Sequence, residues 1–155
     1  MFLLVYISAL LGGPCESISD CIESGTPNTL FLIGAFMACP LVSFRLCKIY
    51  KSDPSMRSFL LCFFGIISSF AQIGVGIFSI RTHHNAHMGF AWLFFISSGL
   101  FMFTSPWIIG YFAVLLSTFW IDIDEWILVC IVLYYFGSLK VKQPEKKDLL
   151  LESTV

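Results

Sequence analysis

Long apolar runs broken by short polar segments constrain this chain more than any other feature. The clearest run, Ser58 to Ile80, carries no charged residue. About 20 such residues form a helix long enough to cross a hydrocarbon core about 30 Å thick. Composition agrees: 57% of the 155 residues are apolar and 12% charged, against about 45–50% and about 25% in soluble domains. The expected fold is therefore all-α, a polytopic transmembrane helical bundle. Residues 1–139 form the membrane domain, and residues 140–155 a disordered cytosolic tail. A net charge of −1 gives no reason to expect nucleic acid as a partner.

Between two of the runs lies a basic collar, Arg45 to Arg57 (RLCKIYKSDPSMR), with Arg45, Lys48, Lys51 and Arg57 against one acid, Asp53. Cations accumulate in short cytoplasmic loops. Placing the collar inside puts eight of the nine Lys/Arg on the cytosolic side and leaves only Arg81 outside. The expected spans are Thr29 to about Cys47, Ser58 to Ile80, Met88 to Thr104, Pro106 to Trp120, and Trp126 to about Leu139. Trp107, Trp120 and Trp126 fall near expected interfaces, where indole rings are favoured. Pro40 is expected to kink the first of these spans.

The stretch Met1 to Gly13 is apolar but short. It reads as a first span whose beginning is missing, as a signal peptide, or as a short span accommodated by local thinning. The first reading gives six spans with both termini cytosolic.

The loop Pro14 to Asn28 is acidic and carries Cys15 and Cys21. These are candidates for a small disulfide if the loop is luminal or extracellular. Two free thiols are the alternative.

No Asp, Glu, Lys, Arg or His lies in the middle of an expected span. Such residues mark proton relays and ion paths, so a proton-coupled transporter or charged-ring channel is not expected. Ser68, Ser69, Gln72, Gly74 and Gly76 give one span a small, polar stripe suited to close helix packing. Gln72 reads as interhelical glue, with a ligand contact as the other option.

His83, His84 and His87 share one expected outside turn. They are candidates for a pH sensor, because imidazole changes charge near neutral pH, or for a zinc ligand set. A solvated interfacial loop is the plainer reading. Asp122, Asp124 and Glu125 lie on the same side and read as an acidic turn that helps set topology. No nucleophile elbow, phosphate-cradling loop or HExxH accompanies them. The chain is therefore not expected to be an enzyme or to hold a cofactor.

The tail carries two short signals. Glu145-Lys146-Lys147-Asp148-Leu149-Leu150 fits an acidic dileucine pattern, in which a sorting adaptor reads Glu145, Leu149 and Leu150. Ser153-Thr154-Val155 has the form of a class I PDZ ligand, recognised through Ser153, Val155 and the terminal carboxylate. The collar cations Arg45, Lys48, Lys51 and Arg57 are expected to meet anionic lipid of the inner leaflet.

Several short matches along the chain resemble the DRAM family, the damage-regulated autophagy modulators. They are Ile18-Ser19-Asp20, Gly25-Thr26-Pro27, Leu30-Phe31 with Gly34-Ala35, the glycine-bearing span Gly65 to Phe78, His87-Met88-Gly89-Phe90-Ala91, and Glu125-Trp126. The short first segment and the brief Thr104-Ser105-Pro106 link depart from the family pattern. The resemblance implies a six-span, non-enzymatic membrane protein. It would modulate autophagy and lysosomal function through lipid and protein partners, and no catalytic residues carry over. Lysosomal or endosomal membranes are the favoured location, with the plasma membrane second. Two other classes stay open. One is a four-span junction or scaffold protein of the claudin or tetraspanin kind with a PDZ-binding tail. The other is a membrane lipid-modifying enzyme with a luminal site at His84, His87, Asp122 and Asp124.

Overall fold

The structure, a computed structural model, describes residues 25–103, 108–109, 111–113, 115–116 and 125–139. The first segment, the Cys15–Cys21 loop, Asp122 and Asp124, and the whole tail lie outside the described residues. Among the described residues the elements are all helices: α1 Gly25–Ser52, α2 Met56–Ile77, α3 His84–Phe101 and α4 Glu125–Ser138. Residues 108–109, 111–113 and 115–116 are helical as well.

α1 and α2 are each long and apolar enough to cross a membrane, and Ile127–Ser138 is a shorter apolar helix. Only 33% of the apolar window of α1 or α2 is buried. A core helix of a soluble protein would be mostly covered. Phe36, Leu41 and Phe44 of α1 and Phe63 and Phe70 of α2 face outward instead. A helix that is apolar on its outer face as well as its inner one suits a lipid surround.

The helices extend beyond or stop short of their apolar runs. α1 continues to Ser52, so Arg45, Lys48 and Lys51 stand on its last two turns rather than in a loop. The reason is local. Val42 and Leu46 are buried, and Ile49 packs against them, so one apolar face persists through the basic stretch. At about 1.5 Å per residue, the 28 residues of α1 reach about 42 Å, beyond a core of about 30 Å. The true link to α2 is only residues 53–55.

A capping box closes that link. The Ser55 hydroxyl accepts from the Ser58 N–H, and the Ser58 hydroxyl accepts from the Ser55 N–H at 3.0 Å. The Ser58 hydroxyl also donates to the Asp53 carbonyl, which ties the turn to the first turn of α2. α1 runs as one helix through Pro40, whose ring removes the hydrogen bond to the Phe36 carbonyl.

α1 and α2 are antiparallel. A Cβ placed on Gly76 would meet Phe31 and Leu32 of α1 at 2.7–2.9 Å, and one on Gly65 would meet Leu46. α2 and α3 are antiparallel too: Gly74 lies against Phe90 and Gly65 against Phe101. In lipid, apolar burial between helices gives little drive of its own, so close backbone approach and hydrogen bonds hold the bundle. The core joins Leu46, Leu61, Phe101 and Met102 to Tyr111, Leu115, Leu128 and Phe136.

Candidate functional site

Among the described residues, the collar end, a serine pair between α2 and α3, and the α2–α3 turn each carry polar side chains in an apolar setting. At the collar end, the Arg45 guanidinium donates to the Leu139 carbonyl at 2.6 Å and stands 5.1 Å from the centre of the Phe136 ring. Leu139 follows the last residue of α4, where carbonyls lack intrahelical partners and the helix dipole favours a cation. One of the four collar cations is thus turned inward and joins the C-terminal ends of α1 and α4. Lys48, Lys51 and Arg57 are exposed.

The second region holds buried hydroxyls: a serine pair between α2 and α3, and Tyr111. Ser68 Oγ lies 2.6 Å from Ser98 Oγ, and the Tyr111 hydroxyl donates to the Phe95 carbonyl at 3.1 Å. Within the Ser68–Ser98 pair either hydroxyl can donate.

Beside it, between all four named helices, is a cavity of about 50 Å³, bounded on α2 by Gly65, Ser68, Ser69 and Gln72. Val42, Phe101, Val132 and Phe136 contribute apolar walls. That volume is on the scale of a few water molecules.

The polar stripe therefore divides its work. Ser68 is the residue that reaches another helix. Ser69 bonds back to the Gly65 carbonyl at 2.9 Å, and Gln72 lines the cavity. Sequence reasoning missed Ser98 and Tyr111. The signal was present in Ser97-Ser98-Gly99, a small polar cluster within an apolar run like the one on α2. Deleting one member of the hydroxyl pair should be tolerated. In Ser68→Ala, Ser98→Ala and the double mutant, the coupling energy in detergent unfolding is expected at about 0.6 kcal/mol, and no more than about 2. A coupling of zero would show that the two hydroxyls do not meet.

The three histidines do not share a face. α3 begins at His84, earlier than the apolar run, and this carries His87 to the inner side of the first turn. His87 is 2% exposed, and its Nδ1–H donates to the Phe78 carbonyl at 2.7 Å, the only role a carbonyl allows. Phe78 is the residue that leaves α2, so His87 satisfies a carbonyl at that helix end. His83 and His84 are exposed, and His83 Nδ1 lies 2.9 Å from the Thr82 hydroxyl. Phe78 stacks on Phe90 at 5.3 Å and meets the His83 ring edge-on at 5.8 Å, which closes the α2–α3 turn. Among the described residues no group of three or more His, Cys, Asp or Glu is placed to hold a metal ion.

Residues Cys15, Cys21, Glu145, Leu149, Leu150, Ser153 and Val155 lie outside the described residues. The fold thus defines a class, an all-helical chain with helices long and apolar enough to cross a membrane. No protein-family model matches the chain, and neither a curated protein nor a solved structure does.

Proposed function

We propose that this chain is a multi-pass membrane protein that modulates autophagy and lysosomal function through lipid and protein partners, without catalysis. The reading takes six spans with both termini cytosolic, and lysosomal or endosomal membranes as its location. It draws its biology from the DRAM-like motifs and the acidic dileucine, Glu145 with Leu149 and Leu150. The structural observation that supports it best is the Arg45–Leu139 hydrogen bond. That contact puts the basic collar and the start of the tail at one end of the helices. The lipid-facing cations and the peptide read by adaptors then begin on the same side of the membrane.

The first test is localisation of the full-length protein against Leu149→Ala/Leu150→Ala, with a lysosomal marker. Wild type is expected on lysosomes, and the double mutant is expected to shift to the plasma membrane. Wild type at the plasma membrane irrespective of the mutation would overturn the sorting motif. The junction or scaffold reading, with Ser153 and Val155 as a PDZ ligand, would then take its place.

A further inference from the structure

We infer that Cys47 and Cys62 form a peroxide-oxidisable dithiol that closes a disulfide between α1 and α2 at the collar end. Their sulfur atoms lie 3.8 Å apart across the helix interface, and both thiols are free. A disulfide requires the sulfurs to approach to about 2.0 Å, so the change is a small rotation of two side chains. Cys47 is exposed on α1 between Arg45 and Lys48, and Cys62 is half-buried on the second turn of α2. Cys39 is buried in α1 and Cys130 is on α4, so this is the one close thiol pair among the described residues.

The asymmetry in exposure assigns the order of events. The Cys47 sulfur, as thiolate, attacks an oxygen of hydrogen peroxide. The O–O bond breaks, hydroxide leaves and takes up a proton as water, and Cys47 becomes a sulfenic acid. The Cys62 sulfur, giving up its proton, then attacks the Cys47 sulfur. The S–O bond breaks and the hydroxyl leaves as a second water. Two thiols are oxidised by two electrons in total, and one peroxide is reduced to two waters. A cellular dithiol or glutathione reverses the bond by thiol–disulfide exchange.

The cytosolic placement of this pair rests on the topology proposed above. In that compartment a disulfide is transient and regulatory rather than permanent. When formed, it would fix α1 to α2 one residue beyond Leu46, where Leu46 already fills the notch at Gly65. It would therefore hold the last turns of α1, which carry Lys48 and Lys51, against α2.

The test uses full-length protein in intact cells, treated briefly with hydrogen peroxide and quenched with a maleimide. Linked peptides are then read by mass spectrometry. Untreated protein should carry maleimide on both Cys47 and Cys62. After peroxide, the Cys47–Cys62 linked peptide should become the major species, and dithiothreitol should remove it. In Cys62→Ser the link should be absent, and dimedone should trap a sulfenic acid on Cys47. Alkylation of both thiols after peroxide would overturn the proposal. So would a link from Cys47 to Cys39 or Cys130, or a Cys47–Cys62 link already complete in untreated cells. A membrane-impermeant maleimide applied from the cytosolic face reads sidedness separately. Labelling of Cys47 with no peroxide link would defeat the dithiol while leaving the topology intact. Peroxide linkage without cytosolic labelling would defeat the topology and the regulatory reading.

Discussion

Gly74→Val is expected to lower the stability of the protein by about 3 kcal/mol, the upper end of the usual cost of overfilling a packed interface. A Cβ at Gly74 would collide with three atoms of the Phe90 ring. That ring cannot swing aside at little cost, because it stacks on Phe78 at 5.3 Å with the planes 8° apart. Phe78 in turn carries the carbonyl held by His87. The strain would therefore spread to the whole α2–α3 turn. Reversible unfolding in mixed detergent should show the loss, and Phe90→Ala in the same chain should restore part of it. Gly89→Ala serves as the control. Nothing lies within 4 Å of its added methyl, and alanine favours the helix by up to about 1 kcal/mol. If Gly74→Val proves as stable as wild type, the described contact between α2 and α3 is wrong.

The second large effect belongs to Arg45. Replacing it with alanine removes a charged hydrogen bond to the Leu139 carbonyl and the cation over the Phe136 ring. A hydrogen bond to a charged group contributes about 1.5–3 kcal/mol, and an exposed cation–π contact about 0.5–1. A loss of about 2–4 kcal/mol is expected. Lysine should recover only part of it, since an ammonium lacks the planar fork that reaches both partners. The same variant separates a structural role from lipid recognition. The stability loss in Arg45→Ala should be equal in neutral and anionic lipid. Substituting the exposed Lys48, Lys51 or Arg57 should instead weaken association with anionic lipid in the surrounding bilayer by about 1 kcal/mol each and leave unfolding in neutral lipid unchanged. A stability loss in Arg45→Ala that appears only with anionic lipid would remove the contact with α4 from the account.

What could be read from the sequence was whatever the apolar runs control. The four helices fall where those runs fall, since lipid-compatible segments must satisfy their own backbone groups. Their ends were less legible. The expected span ends at about Cys47, but Leu46 and Ile49 keep one face of α1 packed, and the helix continues to Ser52. His84 to His87 looks like a polar turn, yet it forms the first turn of α3 because a single buried imidazole can take up the Phe78 carbonyl. The stripe on α2 was legible as a stripe. Its partner Ser98 was not, because pairing between helices depends on rotation about each axis, which composition does not encode. Arg45 was hidden for a related reason. Four similar cations in thirteen residues give no sign of which one faces inward.

The bond between Arg45 and Leu139 also sets a length. A chain extends by at most about 3.3–3.6 Å per residue, so Glu145, six positions beyond Leu139, can reach no farther than about 20 Å from that anchor. Leu149 and Leu150 can reach about 35–40 Å. Leu139 is held there twice over, by Arg45 and by α4 itself, through its N–H bond to the Phe136 carbonyl and its packing against the core. The origin of that reach is therefore a property of the folded helices, and it stays in place whichever residues follow.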